Sequence, residues 1–211
     1  MEGYGLALYE KPQTMKLNIA YDLPVGRGRQ LLCNPQGLGG KILDTVVGGW
    51  SVASISIWDP QGTPVLVTDV SGGVTAPGAA LRWSLASNNV STSKDYGKNI
   101  YVNGAFVNQS GTPLLNAAAF ARTPDYGLSN APFVFPNVRN PGDFSTDATL
   151  LKKFFFNESH ERYLESRVEA TNVFNHPTYG TIDNNPDDAT FGGVNGKTGS
   201  RIMQIGLRLF F

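Results

Sequence analysis

The sequence has very little cysteine, few charged residues and no long hydrophobic run. Its single cysteine, Cys33, excludes an internal disulfide framework. No stretch approaches the roughly 18 consecutive apolar residues that a membrane-spanning helix needs. Charged residues make up 16% of the chain and the formal net charge is zero, and no basic cluster favours nucleic acid. These absences argue against a disulfide scaffold, a helical membrane protein and a nucleic-acid-binding protein.

The residues that are present favour strands and turns. Glycine accounts for 24 of the 211 residues, and abundant Asn and Thr with modest charge point the same way. The length suits a single domain, residues 1–211. The absence of an apolar run does not exclude a membrane, because the strands of a membrane barrel carry apolar residues only at alternate positions.

The last eleven residues, 201–211, alternate strictly and organise the rest of the chain. Their apolar face carries Met203, Ile205, Leu207, Leu209 and Phe211. Gln204, Gly206 and Arg208 lie on the other face, since side chains of a strand alternate with a period of two. A tilted strand needs about 9–11 residues to cross a bilayer, whereas strands of soluble domains usually have about five or six. The segment predicts a membrane-crossing strand, with an edge strand of a soluble sandwich as the alternative.

Four further segments are predicted to be long strands: 14–23, 50–58, 143–156 and 162–174. Three of them are one-sided, and their apolar faces carry Met15, Leu17, Ile19, Tyr21 and Leu23 in the first, Ala148, Leu150 and Phe154 in the third, and Leu164, Val168, Ala170 and Phe174 in the last. Lys152 interrupts the apolar face of the third, where a long side chain can snorkel to a membrane edge. The segment 50–58 has apolar residues on both faces, which indicates a bulge or two covered faces.

The connections between these strands alternate in length. Residues 24–49 contain helical spacing over 41–47, which predicts a short helix, and Ile42 and Pro35 occupy positions that exclude a phosphate-binding loop around Lys41. A tight turn is predicted at 157–161, and long loops at 61–142 and 175–199, with short strands at 65–67 and 100–107. A weak alternation at Tyr4, Leu6 and Leu8 predicts the end of an earlier strand. Short turns alternating with long loops are typical of outer-membrane barrels.

Several motifs occur along the chain in a recognisable order. They are Asp22-Leu-Pro-Val-Gly-Arg-Gly-Arg29, Val47-Gly-Gly-Trp-Ser-Val52, Arg139-Asn-Pro-Gly142, Glu169-Ala-Thr-Asn-Val-Phe-Asn-His-Pro177 and Ile202-Met-Gln-Ile-Gly-Leu-Arg-Leu-Phe-Phe211. Together they resemble the carboxyl-terminal barrel portion of the Oar-like TonB-dependent outer-membrane receptors that are abundant in acidobacteria. The resemblance implies an all-β fold: an antiparallel meander forming the last strands of a transmembrane β-barrel in the cell outer membrane, with long loops and one short helix.

The resemblance also implies partners. Members of the family carry a plug, a regulatory domain and earlier barrel strands, none of which is visible in residues 1–211. We expect the chain to work with the remaining strands and plug of a longer receptor, to reach the TonB system only through that plug, and to be read by the barrel-assembly machinery through its terminal aromatic strand. Residues 1–10 lack the basic patch and apolar run of a signal peptide. We therefore expect either a cytoplasmic protein or a start upstream of Met1.

Few residues suggest chemistry. Carboxylates at Asp183, Asp187 and Asp188, with His176 nearby in sequence, are candidate cation ligands, but their spacing lacks the pattern of a calcium loop. Glu165, Arg167 and Glu169 recur at period two, which favours a charged ladder lining a barrel over a catalytic group. No motif favours an enzyme, and no catalytic, cofactor or metal residue is assigned. The alternative function is a secreted, soluble β-sandwich binding module for a ligand such as carbohydrate.

The topology predicts an orientation. If the strand 201–211 ends in the periplasm, the turn at 157–161 is periplasmic and the loops around Gly111 and Asp183 are extracellular. The aromatic residues at the periplasmic end are predicted to form one interfacial belt, because their rings are apolar and their polar edges stay hydrated. That belt comprises Tyr21, Trp50, Phe154, Phe156, Tyr163 and Phe211.

Overall fold

The computed structural model describes residues 6–26, 29–31, 37–67, 82–156 and 161–211. Its strands are β1 (Met15–Asp22), β2 (Trp50–Asp59), β3 (Pro64–Val65), β4 (Ser84–Leu85), β5 (Asn99–Val102), β6 (Ala105–Gln109), β7 (Phe120–Ala121), β8 (Phe135–Arg139), β9 (Asp143–Phe155), β10 (Tyr163–Thr171), β11 (Thr178–Tyr179), β12 (Val194–Asn195), β13 (Lys197–Thr198) and β14 (Ile202–Phe210). Helix α1 spans Gly37–Val47, and two short 3-10 helices lie at Tyr96–Lys98 and Ala117–Ala119. In these ranges no helix is both long enough and apolar enough to cross a membrane.

The chain divides into two compact units. The sheet unit comprises Met15–Trp58, Phe144–His176 and Gly199–Phe211. The loop unit comprises Met1–Thr14, Asp59–Asp143 and Pro177–Thr198. The long predicted strands therefore belong almost wholly to one unit, and the long predicted loops to the other.

A five-stranded sheet in the order β1-β2-β9-β10-β14 forms the sheet unit. Its strands coincide with the five long strands predicted from the sequence, and their order in the sheet is their order among the long strands of the chain. The β1–β2, β9–β10 and β10–β14 pairs are antiparallel. The prediction of an all-β antiparallel meander is confirmed, and the barrel is not closed by these strands.

Strand β2 carries apolar side chains on both faces without a bulge in its pairing with β1. The register runs without interruption from Met15 opposite Trp58 to Asp22 opposite Ser51, so the bulge interpretation is wrong for this pair. Ile55 is 55% exposed, so the second face is not covered at that position either.

Two strand ends differ from their predictions. Strand β10 ends at Thr171 because Asn172 and Asn175 have φ values of 50° and 53°, in the left-handed region that terminates regular pairing. Phe174 consequently leaves the strand face and stacks on Phe144, with ring centroids 6.1 Å apart. No strand forms at Leu6 and Leu8, so that prediction is wrong, and Tyr4 lies outside the described residues.

The turn predicted at 157–161 lies almost wholly outside the described residues. On either side of it, the Phe156 N–H donates to the Arg162 carbonyl over 2.9 Å. The flanking strands β9 and β10 pair in register from Tyr163 opposite Phe155 to Ala170 opposite Ala148. The strand residues on either side of the predicted turn are thus paired as antiparallel neighbours.

Helix α1 confirms the predicted helix and begins earlier, at Gly37. It ends where Gly49 adopts a φ of 71°, a conformation that glycine takes without steric cost. A Cβ at Gly49 would also lie 2.5 Å from the Lys153 carbonyl oxygen. A glycine is therefore required where the helix turns into β2.

The loop unit has a hydrophobic core of its own, although the sequence predicts long, mainly irregular loops over these residues. Phe120 packs edge-on against Phe135 and Phe191, with centroid distances of 5.8 and 5.7 Å. The other members of this buried cluster include Val65, Val67, Trp83, Val90, Leu114, Leu115, Ala119, Ala131, Val138, Ile182 and Val194. In the sequence these core residues occur as apolar groups without a clear period, such as Leu114 and Leu115.

Short strands frame this core. The short strand structure predicted at 100–107 is confirmed as two strands, β5 and β6, and the strand predicted at 65–67 is present only at its start, as β3. Strands β5 and β6 form a hairpin joined by Asn103 and Gly104 with φ values of 51° and 77°, as a two-residue hairpin turn requires. Strand β12 adds to β5 in parallel, and β3–β8, β4–β7 and β11–β13 form two-stranded pairs. In the described part of the chain the largest sheet after the five-stranded one has three strands, so the two comparable sheets of a sandwich are not found.

Candidate functional site on the polar face of the sheet

The pairing register brings the polar side chains of three strands onto one face. Glu165 of β10 lies opposite Arg208 of β14 and Lys153 of β9. Glu169 lies opposite Gln204 on β14. Each carboxylate therefore has a hydrogen-bond donor on a neighbouring strand, which is the arrangement that stabilises cross-strand pairs.

Arg167 occupies the centre of this polar face. Its Nη2 lies 2.5 Å from Glu169 Oε1, and its side chain is 43% exposed. Gln204 Nε2 donates a hydrogen bond to Glu169 Oε2. Opposite Arg167, Gly206 has no side chain, and a Cβ there would meet nothing within 4 Å. The guanidinium thus borders an open, shallow groove, lined by Glu165, Arg167, Glu169, Gln204, Gly206 and Arg208 among others.

These contacts confirm that Glu165, Arg167 and Glu169 form a charged ladder on one face of β10. The groups alternate in sign, so the face presents both donors and acceptors to a polar solute. In a barrel, such a face lines the interior, where charge tunes which solutes pass.

The opposite face of β14 is apolar and exposed. The exposed fractions are 60% for Met203, 77% for Ile205, 70% for Leu207 and 56% for Leu209. Strand β1 repeats the pattern with Met15, Leu17, Ile19 and Tyr21, each between 46% and 56% exposed. Water is a poor solvent for such a continuous apolar band, which is the property that marks a membrane or protein contact.

Lys152 is the one charged residue on the apolar face of β9, and it does not snorkel to solvent. It is buried, with its Nζ donating to the Val46 carbonyl over 3.2 Å and to the Gly48 carbonyl. The ammonium also lies 5.1 Å from the Trp50 ring centroid and 5.2 Å from that of Phe154. The carboxyl end of α1 carries partial negative charge, so it is a favourable partner for this cation.

Aromatic residues gather at one end of the sheet, as predicted, but on both faces. Tyr163 lies opposite Phe155 and Phe210, and its ring stacks on that of Phe210 at 4.4 Å. The alternation places Trp50 and Phe154 on the apolar face and Tyr163 on the polar one. The prediction that Tyr163 shares one interfacial belt with Trp50 and Phe154 is therefore wrong, because Tyr163 lies on the polar face. The predicted position of Tyr163 at this end of the sheet is confirmed.

The motif 169–177 forms a network of hydrogen bonds at the end of β10. Asn172 Nδ2 donates to the carbonyls of His176, over 2.8 Å, and Gly199. Its Oδ1 accepts from the His176 N–H over 2.9 Å, and its own N–H donates to Asp147 Oδ1 over 2.9 Å. Asn175 Oδ1 accepts from the Arg201 N–H over 3.0 Å. The two asparagines thereby close the connection from β10 to β14.

The motif 139–142 performs a similar role in the loop unit. Arg139 Nη2 lies 2.6 Å from Glu10 Oε2, and the arginine also donates to the Gly62 carbonyl over 3.3 Å. Asn140 Oδ1 accepts from the Ile182 N–H over 2.9 Å. A Cβ on Gly142 would lie 2.1 Å from the Asp59 carbonyl oxygen, so any side chain there would force the backbone to shift. The polar side chains of these two motifs therefore hold loops and strand ends in place.

The acidic segment 183–188 is an ordered turn. Asp183 is buried, and its two oxygens accept from the Asn185 N–H over 3.1 Å and from Thr190 Oγ1 over 2.5 Å. Asp187 Oδ2 lies 2.6 Å from Arg122 Nη2. Within the ranges that the structure describes, no group of three or more His, Cys, Asp or Glu side chains is placed to hold a metal ion. The carboxylates order the loop through hydrogen bonds and an ion pair.

The loop unit also contains an open cavity of about 510 Å³ that sequence reasoning did not find. Its polar lining includes Gln61, Ser91, Ser93, Lys94, Tyr96 and Arg139. Tyr96 donates from its hydroxyl to the Arg139 carbonyl at 3.4 Å, and burial raises the pKa of this phenol. Hydroxyl, amide and cationic groups in one cavity suit a polar ligand.

One comparison with known proteins identifies a family. The sequence model of a family described as an outer membrane beta barrel domain matches residues 2–204. No curated protein and no solved structure matches the chain.

Proposed function

The chain belongs to the outer-membrane β-barrel domain family, and from this premise we propose that it forms part of the wall of a TonB-dependent receptor. The receptor takes up an unidentified ligand across the cell outer membrane, where proteins of this family reside. The observation that carries the proposal is a sheet with a charged face around Arg167 and an exposed apolar face around Leu207. A soluble sandwich would cover that apolar face with a second sheet, and no such sheet supports that alternative in the described residues.

The motifs quoted for Oar-like receptors support this type of barrel protein. Four of them lie at strand ends and in the connections, where Asn172 and Gly142 hold long loops in place. The fifth, 202–211, covers β14. A receptor needs such loops to be ordered, because they choose the ligand on the outer surface. The polar cavity near Tyr96 offers a surface for that choice.

The open sheet supports a need for further strands. Strands β1 and β14 are outermost in the sheet order, so each has one edge without a pairing strand in the described residues. Unpaired N–H and C=O groups cost several kcal/mol each in hydrocarbon, so open sheets do not span membranes. Single-chain bacterial barrels have at least about eight strands. The partners we propose are the other strands and the plug of a longer receptor, with TonB acting through that plug and the barrel-assembly machinery acting on β14.

Uptake by the complete receptor tests the transport role. Cells with and without the receptor are given a mixture of ferric chelates, cobalamin, oligosaccharides and peptides, and depletion of each compound is followed by mass spectrometry. We expect at least one compound to be depleted only when both the receptor and TonB are intact. Depletion that survives the loss of TonB would indicate a passive channel instead.

A second experiment tests the need for further strands. The chain of residues 1–211, expressed with an added signal peptide, should give aggregated material without pore conductance, because two sheet edges stay unpaired. The complete receptor is the control and should migrate as a heat-modifiable, detergent-stable monomer. A heat-modifiable monomer of the 211-residue chain by itself would contradict the proposed partners.

A further inference from the structure

Helix α1 exposes an apolar side. Leu38, Ile42 and Val46 are 82%, 65% and 60% exposed. They recur every four residues, so they lie on one side of the helix, and Leu43, 45% exposed, widens the stripe. An eleven-residue helix with no buried residue gains little stability from its own packing. Contact with a partner that covers the apolar side would therefore stabilise the helix.

The carboxyl end of α1 is held against the apolar face of the sheet. Trp50 Nε1 donates to the Val46 carbonyl over 2.9 Å, and Lys152 Nζ donates to the same carbonyl over 3.2 Å. Trp50 and Lys152 share the face that continues to Leu207 through the alternating registers of β9, β10 and β14. The helix end thus lies on the side of the sheet that lipid covers in a barrel.

Close backbone packing decides which side of the helix points inward. A Cβ on Gly26 would lie 2.7 Å from the Gly48 Cα and 2.9 Å from Asp44 Oδ1. Two glycines therefore let the β1–β2 connection approach the helix on its Asp44 side. That side is roughly opposite Ile42 and Leu38 on a helix of 3.6 residues per turn. The apolar stripe is consequently turned away from the described part of the β1–β2 connection.

We propose that α1 lies in the lipid–water interface of the outer membrane, with Leu38, Ile42 and Val46 inserted among the upper parts of the acyl chains. The carboxyl end of the helix bonds to Trp50 and Lys152 on the apolar face of the sheet. The ring types of Trp50 and Phe154 at this end of the sheet favour the interface. Lys41, on the flank of the stripe, is exposed, and a basic residue beside an apolar stripe is typical of helices that bind an anionic lipid surface. The inference rests on the barrel family and not on the identity of the transported ligand.

Depth-dependent quenching tests this placement. The complete receptor, with Cys33→Ser, is reconstituted in vesicles of phosphatidylethanolamine and phosphatidylglycerol. The fluorophore NBD is attached at Ile42→Cys, at Leu207→Cys as the membrane-core reference, or at Ile55→Cys. Ile55 is a matched control, because it is an isoleucine of similar exposure, 55%, on the opposite face. Nitroxide-bearing lipids place the quencher either near the headgroup or near the end of the acyl chain.

We expect the Ile42 label to be quenched at least twofold more by the shallow nitroxide than by the deep one. The Leu207 label should show the reverse order, and the Ile55 label should be quenched by neither. An Ile42 label that behaves like the Ile55 label would overturn the proposal, and a blue-shifted but unquenched one would identify a protein as the occupant. An unquenched Leu207 label would also overturn it, since the apolar face would then not contact lipid.

Discussion

The substitution Leu207→Arg tests which face of the sheet meets lipid. Leu207 lies opposite Ser166 and is 70% exposed, one residue from Gly206, the central residue of β14. With a rise of about 3.4 Å per residue and a tilt of about 45°, each residue changes the depth by roughly 2.4 Å. Leu207 therefore lies about 2 Å from the middle of the hydrocarbon layer if β14 spans it symmetrically.

At that depth an arginine on the lipid face costs about 2–4 kcal/mol. This corresponds to a factor of roughly 30 to 1,000 in the folding equilibrium. The same substitution at Ile205 should cost about as much, whereas at Leu209, about 7 Å from the middle by the same spacing, it should cost less. The measurement is the urea-dependent folding of the complete receptor into lipid vesicles, followed by the heat-modifiable gel band.

Arg208→Gln is the matched control on the other face. Arg208 lies opposite Glu165, and removing this exposed pair should cost no more than about 1 kcal/mol. If Leu207→Arg folds like the wild type while Arg208→Gln fails, the two faces have been assigned the wrong way round. Equal costs at all apolar positions of β14 would refute the depth calculation.

Three further outcomes are expected. Gly142→Ala should destabilise the complete receptor by about 3 kcal/mol in urea unfolding, because its Cβ would lie 2.1 Å from a backbone oxygen. The control Gly206→Ala, with open space around the Cβ, should change the free energy of unfolding by no more than about 0.5 kcal/mol. Equal effects of the two substitutions would contradict the packing argument. Lys152→Met should lose about 1–3 kcal/mol in the same assay as two bonds to the end of α1 disappear, whereas an unchanged unfolding midpoint would show that the cation does not hold the helix. A cysteine at Asp187 should react with a membrane-impermeant maleimide on intact cells while one at Ser159 should not, and equal labelling of both would refute the predicted topology.

Much of the sheet could be predicted from the sequence, because alternation is a local property that one face of a strand imposes on its own residues. The five long strands follow from it, and so does the charged ladder around Arg167. The end of β10 could not be predicted, since it depends on Asn172 adopting a positive φ and bonding to Gly199, 27 residues later in the chain. The partner of Lys152 was hidden for the same reason, because the Val46 carbonyl lies 106 residues earlier.

The core of the loop unit was missed for a related reason. Its apolar residues follow neither a helical nor a strand period, because short strands and turns bring them together from distant segments. Phe120 meets Phe135 and Phe191, and Val194 is fully buried beside them in the same cluster. Periodicity reports only on regular elements, so a core of this kind leaves no periodic signal.

The loop unit is assembled from segments that are distant in the sequence, and this affects the order in which its parts can fold. The Leu114 N–H donates to the Gly192 carbonyl over 2.9 Å, and β5 receives its parallel neighbour from Val194. Residues 82–121 thus acquire part of their core and hydrogen bonding from residues synthesised some seventy or more positions later. Contacts of such long sequence separation form slowly, because the loop-closure entropy is lost before the contacts are gained. The longest connection of the chain can therefore form local pairs such as β5–β6 early, whereas its core closes only after residues 191–194 have been made.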